Sequence, residues 1–456
     1  MPDETCTQVK PLFSRDALFR LILPLIIEQF LLMTVGMADT VMVTTAGEAA
    51  VSGVSLVDNI NTLIIQVFSA LSTGGAVVVS QYLGRRDIEN AGTASKQLLY
   101  AMCTASLLLM SVALLFRQHI LSLIFGRVEA DVMSSALIYF LLTAAAYPFM
   151  GIYNAGAALF RAMGNSKVSM FCSLIVNLIN ISVNAILIYG FDMGAAGAGI
   201  GTLVSRIAAS VIIMVLLRHP EHPVRMTGLF HVRFQGEMIR RILFIGIPNG
   251  LENGMFQAGK LMVLNLITTF GTSAVAANAI SNSIAGVVNV PGQALGLAMI
   301  TVIGQCMGAG EIRQAQRYTK QLVAVSYACM AVMSAALLVF TNPLVTLFHL
   351  SPAATEMAAQ VLRLCAVGNI LFWPMSFTLP NSLRAAGDAV FTMAVSLISM
   401  FACRVALSYV LACAWGLNLG LLGIWAAMVA DWVVRAICFL IRYRQGKWKA
   451  LRVIGS

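Results

Sequence analysis

Twelve stretches of this chain stay apolar for roughly 20 residues or more, the length a helix needs to cross the hydrocarbon core of a bilayer. They run over about 17–43, 51–80, 94–116, 134–159, 169–189 and 196–217, then 241–269, 275–303, 319–341, 358–380, 390–413 and 420–441. No soluble core could hide that much continuous apolar surface. Hydrophobic residues make up 59% of the chain and charged residues 11%, against about 25% charged in soluble domains. The pattern predicts an all-α polytopic membrane protein with twelve transmembrane helices.

The twelve helices are six written twice. Moved by 224 positions, Gln81–Lys96 (QYLGRRDIENAGTASK) falls on Gln305–Lys320 (QCMGAGEIRQAQRYTK), and the same offset carries Pro24 to Pro248, Glu28 to Glu252 and Gly84 to Gly308. An offset of 223 then aligns Arg161-Ala162-x-Gly164 with Arg384-Ala385-x-Gly387. Six is even, so the second copy enters the membrane from the same side as the first, giving parallel repeats related by an axis along the membrane normal. The expected division is a six-helix bundle over 1–217, a linker over 218–236 containing Pro220 and Pro223, and a second bundle over 237–456 with a short basic tail.

Basic residues near helix ends are retained on the cytoplasmic side. Of the 29 Lys and Arg, only Arg117, Arg127 and Arg363 fall on one side, four (Arg206, Lys260, Arg404, Arg435) lie within or at the margins of helices, and the other 22 share the opposite side. Both termini are therefore expected in the cytoplasm of a cell whose plasma membrane, a bacterial inner membrane, holds the protein. The net charge of +10 sits between apolar runs in no aromatic-interleaved patch, which argues against a nucleic-acid partner. Nine Cys without a CxxC indicate neither a disulfide framework nor a zinc site. With Asp3 and Glu4 ahead of Lys10 and no apolar core after them, no removable signal peptide is expected.

Several segments spread over nearly the whole chain resemble the multidrug and toxic compound extrusion (MATE) family. They are Phe160-Arg161-Ala162-Met163-Gly164-Asn165 and its copy Leu383-Arg384-Ala385-Ala386-Gly387-Asp388, Met37-Ala38-Asp39-Thr40-Val41-Met42, Gln81-Tyr82-Leu83-Gly84 and Gly246-Ile247-Pro248-Asn249-Gly250-Leu251-Glu252. Asn180-xxx-Asn184 followed by Gly194-xx-Gly197 completes the set. The resemblance implies a V-shaped pair of bundles that exports organic, often cationic, compounds in exchange for inflowing protons or sodium ions. It also implies a cation site in the first bundle at Asp39, Asn180, Asn184 and Thr202. Many relatives carry a second acid where Asn184 stands, and sodium-coupled relatives pair the acid matching Glu252 with one on the tenth helix, which has none here. A proton thus gains ground over sodium, with both open.

The residues support that chemistry independently. An acid inside a membrane costs about 2.5–3.5 kcal/mol on insertion scales, so Glu28, Asp39, Asp58, Glu252 and Asp431 each need a reason to be there. Glu28 and Asp39 are eleven residues apart, about three turns, and so share one face of the first helix. Amides from Asn180 and Asn184, one turn apart, and the Thr202 hydroxyl would surround Asp39 as a proton or small-cation site. Glu252, four residues beyond Pro248, is expected as a second coupling residue, while Glu28 and Asp58 stay open between cavity and structural roles. Asp431 and Arg435 are expected to pair with each other. Lys260 could neutralise Glu252 or Glu28, or extend outward. Met33, Met37, Met255 and Phe256 are candidates for substrate contact, and Asn278, Asn282 and Asn289 for a polar cavity stripe. Arg161 and Arg384 with Gly164 and Gly387 are expected to act as structural or gating loops at the cytoplasmic rim.

These features define a secondary antiporter working as a monomer, with no cofactor, no metal and no enzymatic activity. The competing expectation is a flippase for lipid-linked precursors, which would need a more cationic cavity. A membrane-embedded enzyme is disfavoured because all five His lie at loops, and a primary pump because GxxxxGK[ST] is absent.

Overall fold

The computed structural model describes residues 11–126, 129–220, 222–224, 226, 233–413 and 416–455. Much of the expected linker lies outside them, as do Cys6, Lys10, Arg127, Arg225, His231 and the side chains of Met37 and Thr40. The first half consists of α1 (Arg15–Thr44), α2 (Glu48–Gly84), α3 (Ile88–Phe125), α4 (Ala130–Ala162), α5 (Ser166–Ala185) and α6 (Gly194–Leu217). The second half holds α7 (Gly236–Thr268), α8 (Thr272–Gly308), α9 (Ile312–Thr346), α10 (Pro352–Leu371), α11 (Leu379–Ala386), α12 (Ala389–Ser399), α13 (Leu407–Ala412) and α14 (Gly420–Gln445).

Among the described residues, ten spans are long and apolar enough to cross a membrane, and α10 with Pro374–Ala386, bent by 63°, makes an eleventh. The twelfth expected crossing is α7, 33 residues long, whose hydropathy is lowered by Glu237, Arg240, Arg241, Glu252 and Lys260. Helix ends follow local chemistry. Ser14 accepts the Ala17 amide at the start of α1 and Ser351 the Ala354 amide at the start of α10, where Pro352 fits the first turn. Gly164 and Gly387 end α4 and α11 at φ of 80° and 104°, a left-handed turn that other residues adopt only under strain.

Three segments depart from the regular helical period. Ile186–Gly190, Pro374–Thr378 and Met400–Ala406 are π-helical. A π-helical turn inserts an extra residue and rotates everything after it, and such turns concentrate at functional sites.

The duplicated segments meet each other across the halves. Gln81 donates its side-chain amide to the carbonyl of Ala385 at 2.8 Å, and Gln305 donates to the carbonyl of Ala162 at 2.8 Å. Each copied glutamine thus holds the other half's copied Arg-Ala-x-Gly loop. Thr301 adds a bond to the Arg161 carbonyl at 3.0 Å. Between these bonds α2 and α8 run backbone to backbone, since a Cβ on Gly84 would sit 1.9 Å from the Gln305 carbonyl oxygen and one on Gly308 1.8 Å from that of Gln81. The duplication is therefore a packing device: a pseudo-symmetric seal closes one end of the space between the halves.

Candidate functional site

A cavity of about 980 Å³ lies between the halves and draws its wall from both. Glu28, Asp39, Asp58 and Glu252 all face it, so four of the five membrane-embedded acids named from sequence converge on one space. The fifth, Asp431, is fully buried behind the wall, accepting from Arg435 at 2.9 Å and from Ser399 at 2.6 Å. Asp431 and Arg435 form the expected pair.

The first half supplies the Asp39 cluster. Asn184 donates to Asp39 at 2.8 Å and, more weakly, to Asn180 at 3.4 Å. Asn184 itself is wholly buried, wedged against α6 where a Cβ on Gly201 would lie 1.8 Å from its amide oxygen. Only glycine leaves room for that amide. Asn180 and Thr202 line the wall, and the charges acting on Asp39 are those of Asp58 and Arg206. Asp58 accepts from Tyr139 at 3.0 Å and from Asn61 at 3.3 Å, and Tyr147 in turn donates to Asn61 at 3.0 Å. Sequence reasoning missed Tyr139 and Asn61. Asn61 had a signal, three residues after Asp58 on one helix face, whereas Tyr139 sits in an apolar run with nothing to single it out.

Glu28 and Glu252 occupy a different arrangement. One Arg384 nitrogen donates to both Glu252 oxygens at 2.7 Å, and Ser396 donates to the same carboxylate at 2.7 Å. In the first half Arg161 donates to Glu28 at 3.0 Å and Ser169 at 2.7 Å. The copied glutamates thus pair with the copied loop arginines, which changes two expectations. Arg161 and Arg384 reach inward to the cavity instead of remaining at a rim, and Glu252 is tied to Arg384 and not to Lys260. Lys260 lines the cavity and, among the described residues, makes no ion pair or hydrogen bond.

Other candidates divide by helix face. Phe256, Asn282 and Asn289 line the cavity; Asn278 does not, and accepts instead from the indole of Trp425 at 3.1 Å. Met33 and Met255, expected at the substrate, do not line it either. Met255 is exposed on the outer surface, and Met33 lies against α8, where its methyl would be 3.1 Å from a Cβ on Gly286. Met37 lies outside the described side chains. Phe256 has the Arg404 guanidinium 4.9 Å from its ring centre and that of Arg435 at 5.6 Å. Among the described residues, no three His, Cys, Asp or Glu side chains gather as a metal site.

Known proteins share this architecture. The chain is 28% identical over 448 residues to an uncharacterised transporter, YisQ, of Bacillus subtilis strain 168, covering 96% of each chain. It is 25% identical over 445 residues to a probable multidrug resistance protein, NorM, of Thermotoga maritima, covering 96% of this chain and 94% of that one. Among solved structures, an outward-facing multidrug resistance MATE family transporter superposes with a TM-score of 0.88 at 20% identity, over 95% of this chain and 96% of that one. The family model described as MatE matches twice, at residues 24–186 and 245–410, once in each half. The chain belongs to the MATE family of membrane transporters.

Proposed function

We propose that this protein is a multidrug efflux antiporter that exports organic compounds, cationic ones among them, in exchange for protons or sodium ions by alternating access, with Asp39 as the coupling carboxylate. The observation that carries the proposal is the Asp39 cluster itself. A carboxylate facing a cavity, held by a buried amide and flanked by Asn180 and Thr202, can take up either a proton or a small cation, and either event removes its negative charge. At the repeat-related position of the second half stands Val263, so ion uptake is asymmetric on a symmetric scaffold. Neutralising one half's wall changes the relative energy of two arrangements of the halves, which is how ion binding biases a transport cycle.

The rest of the proposal follows from the charge distribution. Both termini lie in the cytoplasm of a bacterial inner membrane, and the bundles divide at 218–236. The sealed end held by Gln81 and Gln305 is then the cytoplasmic end, and the cavity opens outward, where an incoming ion meets Asp39. Six basic side chains line the cavity beside its four acids, so what favours antiport over lipid-linked precursor translocation is the Asp39 cluster and not the overall sign of the wall. Names of relatives agree: NorM of Thermotoga maritima is called a probable multidrug resistance protein, and MepA of Staphylococcus aureus a multidrug export protein.

Efflux of a fluorescent organic cation from cells under imposed proton or sodium gradients tests this reading. Asp39→Asn is expected to lose gradient-driven efflux by about tenfold or more, the scale on which removal of an essential charge of a few kcal/mol is felt. Wild-type efflux rates in Asp39→Asn under every gradient would refute the assignment.

A further inference from the structure

Residues 446–455 cross from one half to the other. α14 ends at Gly446, whose φ of 72° turns the chain, and one turn of 3-10 helix, Lys447–Ala450, follows. Trp448 anchors that turn: it is 1% exposed, its indole donates to the Tyr443 carbonyl at 3.0 Å, and its ring stacks on that of Tyr443. Trp448 belongs to the hydrophobic cluster built mainly by α8, α9 and α11. Val453 and Ile454, both buried, belong instead to the cluster built mainly by the first half. A side chain fixed in one core is thus followed within a few residues by two fixed in the other.

The crossing runs over the sealed end. A Cβ on Gly387 would lie 2.7 Å from the Val453 side chain, so the segment rests on the loop whose Ala385 carbonyl receives Gln81. Arg85, the residue after α2, donates to the Gly455 carbonyl at 2.7 Å. A Cβ on Gly455 would lie 3.5 Å from the Arg241 guanidinium, which itself donates to Tyr82 of α2. A segment outside helices and strands has no backbone ladder to order it. Here two buried branched side chains and a charge-assisted hydrogen bond do so. The Arg85 bond and the burial of Val453 and Ile454 join the second half's chain to the first half, so they last only while the halves meet at this end. Contacts present in one arrangement and lost in the other are what bias a two-state equilibrium.

We propose that residues 451–455 are a latch on the gate formed by α2, α8 and the Arg-Ala-x-Gly loops: docked, they keep the sealed end shut, and they must leave α2 each time that end opens. Trp448 is the fixed post from which the latch swings, and Val453, Ile454 and the Gly455 carbonyl are its catch. The proposal rests on the alternating-access reading above, because only a transporter that opens this end has use for a latch on it.

Two measurements test it. Cys306, fully buried next to Gln305, is kept as the sole cysteine of the purified protein and its reaction with a soluble maleimide is timed. Removing residues 451–456 should speed that reaction at least about fivefold, as loss of two buried apolar contacts and a hydrogen bond from the shut state predicts. Ile454→Asp, which cannot stay docked in an apolar core, should act in the same direction and stands in if the shortened chain does not fold. Unchanged labelling in both variants would overturn the latch, and this arm needs no transport. In the second measurement, Arg85→Cys and Gly455→Cys in a cysteine-free background are joined by a reducible dithiol-reactive linker before reconstitution. Linking should cut ethidium transport in proteoliposomes about tenfold or more and reduction should restore it, since a latch that cannot leave α2 holds the equilibrium on the shut side. Transport at the unlinked rate with the linker in place would likewise overturn the proposal. If wild type moved no ethidium under any ion gradient, that result would count against the export reading, and the labelling of Cys306 would decide the latch by itself.

Discussion

Gly84→Ala and Gly308→Ala are each expected to abolish transport and to open the sealed end of the cavity. At both positions the added Cβ would meet a backbone carbonyl oxygen, 1.9 Å away at Gln305 and 1.8 Å away at Gln81. Backbone cannot rotate aside as a side chain can, so α2 and α8 must separate. Separation pulls Gln81 from Ala385 and Gln305 from Ala162, both now at 2.8 Å. Overpacking at a tight contact costs about 1–3 kcal/mol or more, enough to move a two-state equilibrium by roughly 5- to 150-fold toward the arrangement in which this end is open. Ser80, fully buried beside this crossing, gives the readout. In a background free of native cysteines, Ser80→Cys should react with a soluble maleimide at least about tenfold faster when Gly84 or Gly308 is alanine. Unchanged labelling together with normal efflux would show that the crossing tolerates a methyl group and that it is not the seal.

Glu252→Ala should be among the most destabilising single substitutions in the second half. The carboxylate accepts two bonds from Arg384 and one from Ser396, all at 2.7 Å. Its removal leaves a guanidinium that is 11% exposed facing no acid. Breaking a buried pair from one side costs about 3–5 kcal/mol, because the surviving charge stays desolvated, whereas replacing both partners by apolar groups is often close to neutral. Thermal unfolding in detergent should therefore show a large fall in Tm for Glu252→Ala and substantial recovery in Glu252→Ala/Arg384→Leu. The homologous Glu28→Ala should cost less, since Arg161 meets Glu28 through a single bond of 3.0 Å. If the double variant were as unstable as the single one, the pair would not be what holds α7 to α11.

The sequence told more about the scaffold than about the faces of its helices. The repeat located Gln81, Gln305, Arg161 and Arg384, and the cost of membrane acids pointed to Asp39, Glu28, Asp58 and Glu252. Asn180 and Asn184 share one face of α5, but it was the family resemblance that brought Asn184 to Asp39, 145 residues away. Spacing could not give partners 132 or 304 residues apart, as for Arg384 with Glu252 and Gln81 with Ala385. Nor could it separate Met255 from Phe256: in a helix apolar on every side, periodicity carries almost no orientation. Arg404 stood out in the sequence as a cation inside an apolar helix, but its direction did not. The π-helical turn at Met400–Ala406 breaks the regular period, so no count at 3.6 residues per turn aims Arg404 at the cavity.

The central claim is that ion coupling resides at one carboxylate in the first half. It is tested most directly in proteoliposomes holding the purified protein, by imposing an outward substrate gradient and recording the return movement of protons or sodium ions with an indicator dye. Wild type should move one of these ions against its own gradient. Asp39→Asn should bind the substrate with similar affinity and move neither ion. Ion movement at the wild-type rate in Asp39→Asn would contradict the account and place the coupling elsewhere in the cavity.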